Sequence, residues 1–130
     1  MTTARRLFFA LWPGPEALVA ANAAVCRLVP PGTGRPQRPD QLHLTLEFLG
    51  GVPEPRLGSV LEAGESVAGL ATPFEIALDR LEHWQRPQVL CLTASVVPEP
   101  LAALVRSLRS ALSARGFDPE NRPFRPHLTL

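Results

Sequence analysis

The sequence predicts a single α+β domain, and three observations carry that expectation. Apolar runs of strand length alternate with stretches whose apolar residues recur every three or four positions, the two periods of strands and amphipathic helices. The tetrapeptide HLTL occurs twice, at 43–46 and 127–130, each time after an apolar helix and an Arg/Pro-rich loop, as in a weak internal duplication. At 130 residues the chain suits one compact domain or two small lobes sharing a core.

Leu7 to Trp12 is apolar and aromatic, stops at Pro13-Gly14, and reads as a buried strand. Pro15 then opens a helix striped by Leu18, Ala21, Val25 and Leu28, which ends before Pro30-Pro31-Gly32. A Pro-rich loop from Arg35 to Asp40 delivers the chain into a strand over Leu42 to Leu49, closed by Gly50-Gly51. Leu57, Val60, Leu61, Val67 and Ala68 suggest a second helix, weakened by Gly58, Gly64 and Gly69. Phe74 to Asp79 alternates as a half-buried strand should, and Gln88 to Val96 follows as another after a break at Arg86-Pro87, so that the two form a meander. Pro98 to Arg115 is the clearest helix, with Leu101, Leu104, Val105, Leu108 and Leu112 on one stripe and Gly116 as its C-terminal cap. A polar loop from Asp118 to Pro126 feeds the second HLTL.

Composition narrows the function classes. With 45% hydrophobic and 19% charged residues the chain is globular, and 15 Pro with 9 Gly stay below the roughly 25–30% that marks low complexity. A net charge of +1 recommends neither long nucleic acid nor an anionic membrane as partner, while a small or terminal phosphate fits. Cys26 and Cys91 form no CxxC and cannot close a four-ligand zinc site, which suits free thiols in a reducing cytoplasm. The N-terminal apolar run is too short for a signal sequence, and no stretch approaches the ~20 apolar residues of a membrane span.

The repeated tetrapeptide carries the chemistry. In a strand His43 and Thr45 share one face while Leu42, Leu44 and Leu46 occupy the other, and His127 and Thr129 stand likewise against Leu128 and Leu130. Two imidazoles across a cleft allow concerted acid–base catalysis, one deprotonating the attacking oxygen while the other protonates the leaving one. Histidine as a residue type titrates near neutrality, so one neutral and one protonated copy can coexist at working pH. Phosphate esters suit that pairing, with the Thr hydroxyls donating to non-bridging oxygens. A lone His-x-Thr is ordinarily a polar strand position without chemistry. Two identical copies in similar contexts, among three histidines, favour function; His83 has no such context.

RLFFALWP at the start, LHLTLEFLG in the middle and NRPFRPHLTL at the end resemble the 2H phosphoesterase superfamily, and within it the RNA 2′,3′-cyclic phosphodiesterase (2′-5′ RNA ligase-like) family, from Arg6 to Leu130. The resemblance implies a bilobal, pseudo-symmetric fold over residues 1–130, with antiparallel sheets backed by helices around a central cleft. It implies His43 as proton donor, His127 as proton acceptor, and Thr45 and Thr129 as phosphate ligands. The implied reaction opens an RNA-terminal or nucleoside 2′,3′-cyclic phosphate to a 2′-phosphate without metal or nucleotide cofactor and without an obligate protein partner, in the cytoplasm. The family continues beyond its second motif, so an ending at Leu130 leads to the expectation that either the sequence is a fragment, truncated at the C-terminus, or its second lobe is incomplete. The alternatives are a non-catalytic binder of terminal or cyclic phosphates and a metallohydrolase with His43 and His127 as ligands, the latter short of the further donors a stable site needs.

Arg38 and Arg125, just before the two motifs, read first as solvated loop charges, with phosphate guidance as the alternative. Phe8 and Phe9 point to opposite faces and read first as core, although one of them can line the cleft and stack on a base. Trp84 is expected to cover the sheet or wall the pocket. Glu47 is expected to extend the His43–Thr45 face, either orienting an imidazole or making an outward salt bridge.

Overall fold

The computed structural model describes residues 3–32, 34, 37–85 and 88–130. Five strands and three helices follow in the order β1 (Ala4–Leu11), α1 (Pro15–Leu28), β2 (Leu44–Pro53), α2 (Leu57–Ala68), β3 (Arg80–Gln85), β4 (Gln88–Thr93), α3 (Glu99–Ala114) and β5 (His127–Thr129). Among the described residues the strands form one antiparallel sheet in the order β1-β2-β5-β4-β3. The predicted duplication is visible in this order. The units β1-α1-β2 and β4-α3-β5 each place a helix between two adjacent antiparallel strands, and they join where Leu44 pairs with Leu128. The α+β, helix-backed antiparallel expectation holds, with the sheets of the two halves continuous across that seam.

The helices pack on the leucine face of the sheet. Leu44 and Leu46 join Ala63 and Val67 of α2 and Leu101, Val105, Leu108 and Leu112 of α3 in one core. Leu42, Leu92, Leu128 and Leu130 form a second, covered by Leu18, Ala21 and Val25 of α1. Set against the glycine's cost in a helix, Gly64 makes room for Phe9: a Cβ there would stand 2.7 Å from Phe9 Cε1, so that ring or the helix would have to shift. Gly116 ends α3 at φ +83° in a Schellman turn, in which the Phe117 and Gly116 N–H groups donate to the carbonyls of Leu112 and Ser113. Arg56 then donates to the Arg115 carbonyl at 2.6 Å while lying over the Phe117 ring, which ties the start of α2 to the end of α3.

Two predicted elements are corrected. Gly50-Gly51 does not close the strand: β2 runs on to Pro53, and Gly50, at φ +72°, sits where the β1–β2 register shifts. Phe74–Asp79 is not a strand. Its alternating burial is real, since Phe74, Ile76 and Leu78 pack on the core, but the segment is outside the β-ladder and the strand begins at Arg80. Period-2 burial records which side faces the core; a strand also needs a partner for its N–H and C=O groups. The predicted break at Arg86-Pro87, and Arg35 with Pro36 of the predicted loop, lie outside the described residues. Among the described residues no helix is long and apolar enough to cross a membrane.

Candidate active site

The face of the sheet opposite the helices carries the repeated motifs. Leu44 stands opposite Leu128 with both side chains buried toward the helices, so the intervening residues face the other way. Continuing that register by one residue sets Thr45 against His127 and His43 against Thr129. The two HxT units thus cross head to tail about a local two-fold axis. The imidazoles occupy one diagonal and the hydroxyls the other, at the roughly 7–8 Å of diagonal strand neighbours. All four side chains are half-buried.

Both imidazoles are held in the same way. His43 Nδ1 lies 2.8 Å from the Gln41 carbonyl and His127 Nδ1 lies 3.0 Å from the Arg125 carbonyl, in each case two residues earlier. A carbonyl oxygen only accepts, so Nδ1 carries the proton and donates it. Each ring therefore keeps Nε2 for chemistry, as a lone-pair acceptor when neutral and a donor when protonated. This is how a fixed tautomer turns an imidazole into a defined acid or base.

The ring surroundings differ. His43 stacks on Phe8 with centroids 5.0 Å apart and meets Trp12 at the same distance. His127 packs against Trp84 at 4.4 Å. The Trp84 indole N–H donates to Glu82 at 3.2 Å, Glu82 also accepts from the Thr93 hydroxyl and from Arg125 at 3.2 Å, and the Arg125 guanidinium lies over the Trp84 ring. The Thr93 hydroxyl, followed by the indole, holds the Glu82 carboxyl below its ordinary value, so it is ionised at neutral pH. Thr93 is in turn the cross-strand partner of His127, which closes the network around that imidazole. Cys91, paired with Thr129, is fully buried, and burial pushes its thiol up, away from reactivity.

Of the predicted residues, His43, Thr45, His127 and Thr129 share this face. Phe8 joins them, while Phe9 goes to the core. Trp84 walls His127, and Arg125 is braced by Glu82; Arg38 pairs with Asp40 instead. Glu47 overturns both expectations. Thr45 pairs with Ala10 and Glu47 with Phe9, so Leu46 is an extra residue, and this bulge turns Glu47 to the helix side. There its fully buried carboxylate accepts from Arg109 Nε at 3.2 Å and from the Glu120 N–H at 3.0 Å. The same bulge places Phe48 on the motif face, opposite Phe8.

Sequence reasoning missed Glu82 and Thr93. Placing the strand at 74–79 hid the alternation that puts Glu82 and Trp84 on one face of β3. Among the described residues no three of His, Cys, Asp and Glu cluster as a metal-ligand set.

Comparisons with known proteins agree with this architecture. The chain matches the family described as LigT like Phosphoesterase over residues 11–91 and 92–130. It is 37% identical to the RNA 2′,3′-cyclic phosphodiesterase of Escherichia coli across 100% of this chain and 73% of that protein. It is 34% identical to the protein of the same name from Thermus thermophilus, across 96% of this chain and 67% of that one. The solved structure of E. coli LigT in apo form superposes with a TM-score of 0.82 at 34% identity, covering 99% of this chain and 72% of LigT. The crossed HLTL motifs thus lie within a matched fold, and the chain belongs to the LigT-like phosphoesterase family.

Proposed function

We propose that the protein is a metal-independent cyclic phosphodiesterase, which opens the 2′,3′-cyclic phosphate of an RNA terminus or a small nucleotide to a 2′-phosphate. The observation that carries this reading is the pair of imidazoles crossed on one sheet face, each with Nδ1 tied to a carbonyl and Nε2 left for the substrate. Relatives named RNA 2′,3′-cyclic phosphodiesterase support it, as does the similarity to a LigT structure complexed with 3′-AMP, with a TM-score of 0.79.

Neutral His127 takes a proton from water through Nε2 as the water oxygen attacks phosphorus. Protonated His43 gives its Nε2 proton to the departing 3′-oxygen, and the P–O3′ bond breaks. One proton enters and one leaves, so the enzyme's net charge is unchanged and neither metal nor cofactor is called on. Thr45 and Thr129, on the other diagonal, donate to the non-bridging oxygens. Such acid–base assistance contributes roughly 10²–10⁴-fold, and aligning water, phosphorus and leaving oxygen adds the proximity effect.

The test is incubation with a nucleoside 2′,3′-cyclic phosphate in the presence of a chelator, with identification of the product isomer. The 2′-phosphate is expected. A 3′-phosphate product would reverse the assigned orientation, loss of turnover on chelation would overturn the two-histidine mechanism, and binding without turnover would favour a phosphate-binding protein.

A further inference from the structure

The two motifs are alike in their imidazoles and unlike in what holds the carbonyl two residues upstream. Gln41, whose carbonyl accepts from His43, ends a 3-10 turn over Pro39–Gln41. There its own N–H donates to the Arg38 carbonyl at 2.8 Å, and the Leu42 N–H donates to that of Pro39 at 3.3 Å, so local backbone bonds fix the acceptor. Arg125, whose carbonyl accepts from His127, lies in a stretch without helix or strand, and the strand after it is three residues long. It is held instead by its side chain, from β3: the guanidinium pairs with Glu82 at 3.2 Å and lies 4.8 Å from the Trp84 ring centroid. Glu82 Oε1 accepts from both the Arg125 guanidinium and the Trp84 indole N–H, each at 3.2 Å, while Oε2 accepts from the Thr93 hydroxyl. The residue that accepts from His127 Nδ1, the ring packed on its face and its cross-strand partner thus converge on one carboxylate. Among the described residues no such convergence surrounds His43, and the nearby Asp40 pairs with Arg38.

We propose that Glu82 is the positioning residue of the base, doing for His127 what the 3-10 turn does for His43: it holds Arg125 and Trp84 so that His127 keeps its proton on Nδ1 and its Nε2 lone pair toward the attacking water. This rests on the phosphodiesterase reading above. The tautomer of a neutral imidazole is set by the hydrogen bond its other nitrogen makes. A ring released from its Nδ1 acceptor is free to carry the proton on Nε2, and in that tautomer it has no lone pair there to accept from water. The tether also fixes where Nε2 stands, and a displacement of ~1 Å costs roughly 10²-fold in rate. Hydrogen bonds to an ionised carboxylate are about twice as strong as neutral ones, which suits Glu82 to hold a loop that lacks backbone bonds of its own. Its side chain is 32% exposed and β3 is an edge strand, so truncating it leaves the core intact.

The experiment compares the wild type with Glu82→Ala, Glu82→Gln and Arg125→Ala. It reads kcat and KM on a nucleoside 2′,3′-cyclic phosphate, and the histidine tautomers by imidazole nitrogen NMR at about pH 9, where an ordinary imidazole is neutral. Glu82→Ala should lower kcat by roughly 10–100-fold with KM little changed. It should also move part of His127 to the Nε2–H tautomer, while His43 in the same molecule keeps its proton on Nδ1. Arg125→Ala cuts the tether at its exposed end and should give the same selective loss. Glu82→Gln keeps an acceptor for the indole and the guanidinium and should retain most of both readouts. A role in folding alone would not single out one histidine. Unchanged kcat or an unchanged His127 tautomer in Glu82→Ala, or equal changes at both histidines, would each overturn the proposal. So would a loss carried by KM in Arg125→Ala, which would assign that guanidinium to the substrate phosphate. Should Glu82→Ala fail to fold, Arg125→Ala decides by the same criteria. If the wild type does not hydrolyse the cyclic phosphate, the phosphodiesterase reading fails and the tautomers still decide: a change confined to His127 supports the tether, and no change refutes it.

Discussion

Replacing Glu47 by Ala tests how the two halves of the site are held together. The carboxylate anchors β2, which follows His43, to Arg109 on α3 and to the Glu120 N–H in the loop that leads to His127. Its side chain is 0% exposed, whereas that of Arg109 is 21% exposed. Two hydrogen bonds to a charged group are worth about 1.5–3 kcal/mol each, and most of the desolvation cost of the carboxylate is recovered when it is removed. The stranded groups then set the net loss. Arg109 keeps the Arg122 carbonyl at 2.7 Å and reaches water, so its share is small. The Glu120 N–H loses its acceptor, at about 1–3 kcal/mol, and a side-chain void opens beside it. The sum is about 3 kcal/mol, or roughly 10 °C in Tm for a chain of this size. Urea unfolding of Glu47→Ala, Arg109→Ala and the double variant measures it, with an expected coupling of about 1 kcal/mol. A loss below ~1 kcal/mol for Glu47→Ala, or zero coupling, would refute the claim that this carboxylate ties the halves.

Other expected outcomes concern the motif face and the core. Thr45→Val and Thr129→Val should each slow cyclic-phosphate turnover by about 10–100-fold, the worth of one hydrogen bond to a charged oxygen, and less than loss of either histidine; unchanged rates would remove the hydroxyls from the phosphate site. Glu82 has a folded pKa below its ordinary 4.5, held there first by the Thr93 hydroxyl. Its stabilisation is therefore fully present above the unfolded value and fades as pH falls through the lower folded one. Tryptophan fluorescence should be flat from pH 8 to 5 and change only at lower pH, and Glu82→Gln should abolish that transition; a transition that persists in the variant would refute the assignment. Gly64→Ala adds helix propensity worth up to ~1 kcal/mol but drives a Cβ to 2.7 Å from Phe9, so thermal melting should show net destabilisation of the order of 1 kcal/mol; a raised Tm would contradict the close approach.

The parts legible in the sequence are those set by local period. The α3 stripe reads directly as a helix whose Leu101, Val105, Leu108 and Leu112 are buried, and Gly116 ends it as expected. The alternation within HLTL put the leucines in the core and His43, Thr45, His127 and Thr129 together on the other side. What stayed hidden depends on partners distant in the chain. An extra residue at Leu46 inverts the alternation until a second register shift at Leu49 restores it, which sends Glu47 to a buried ion pair and Phe48 to the open face. Phe74–Asp79 has the burial rhythm of a strand without a place in the ladder, and that offset concealed Glu82. The fixing of both Nδ1 atoms by the carbonyls of residues 41 and 125 is a backbone property that residue types do not announce.

The central claim, that His43 and His127 act as one acid–base pair, is tested most directly by the turnover of a nucleoside 2′,3′-cyclic phosphate by His43→Ala, His127→Ala and the double variant. Each single substitution removes one half of the proton transfer and should cost roughly 10²–10⁴-fold in kcat. The double variant should be little slower than the worse single, because groups acting in one concerted step lose their effect together. A double variant slower by the product of the two single effects, or either single within a few-fold of wild type, would contradict the paired mechanism.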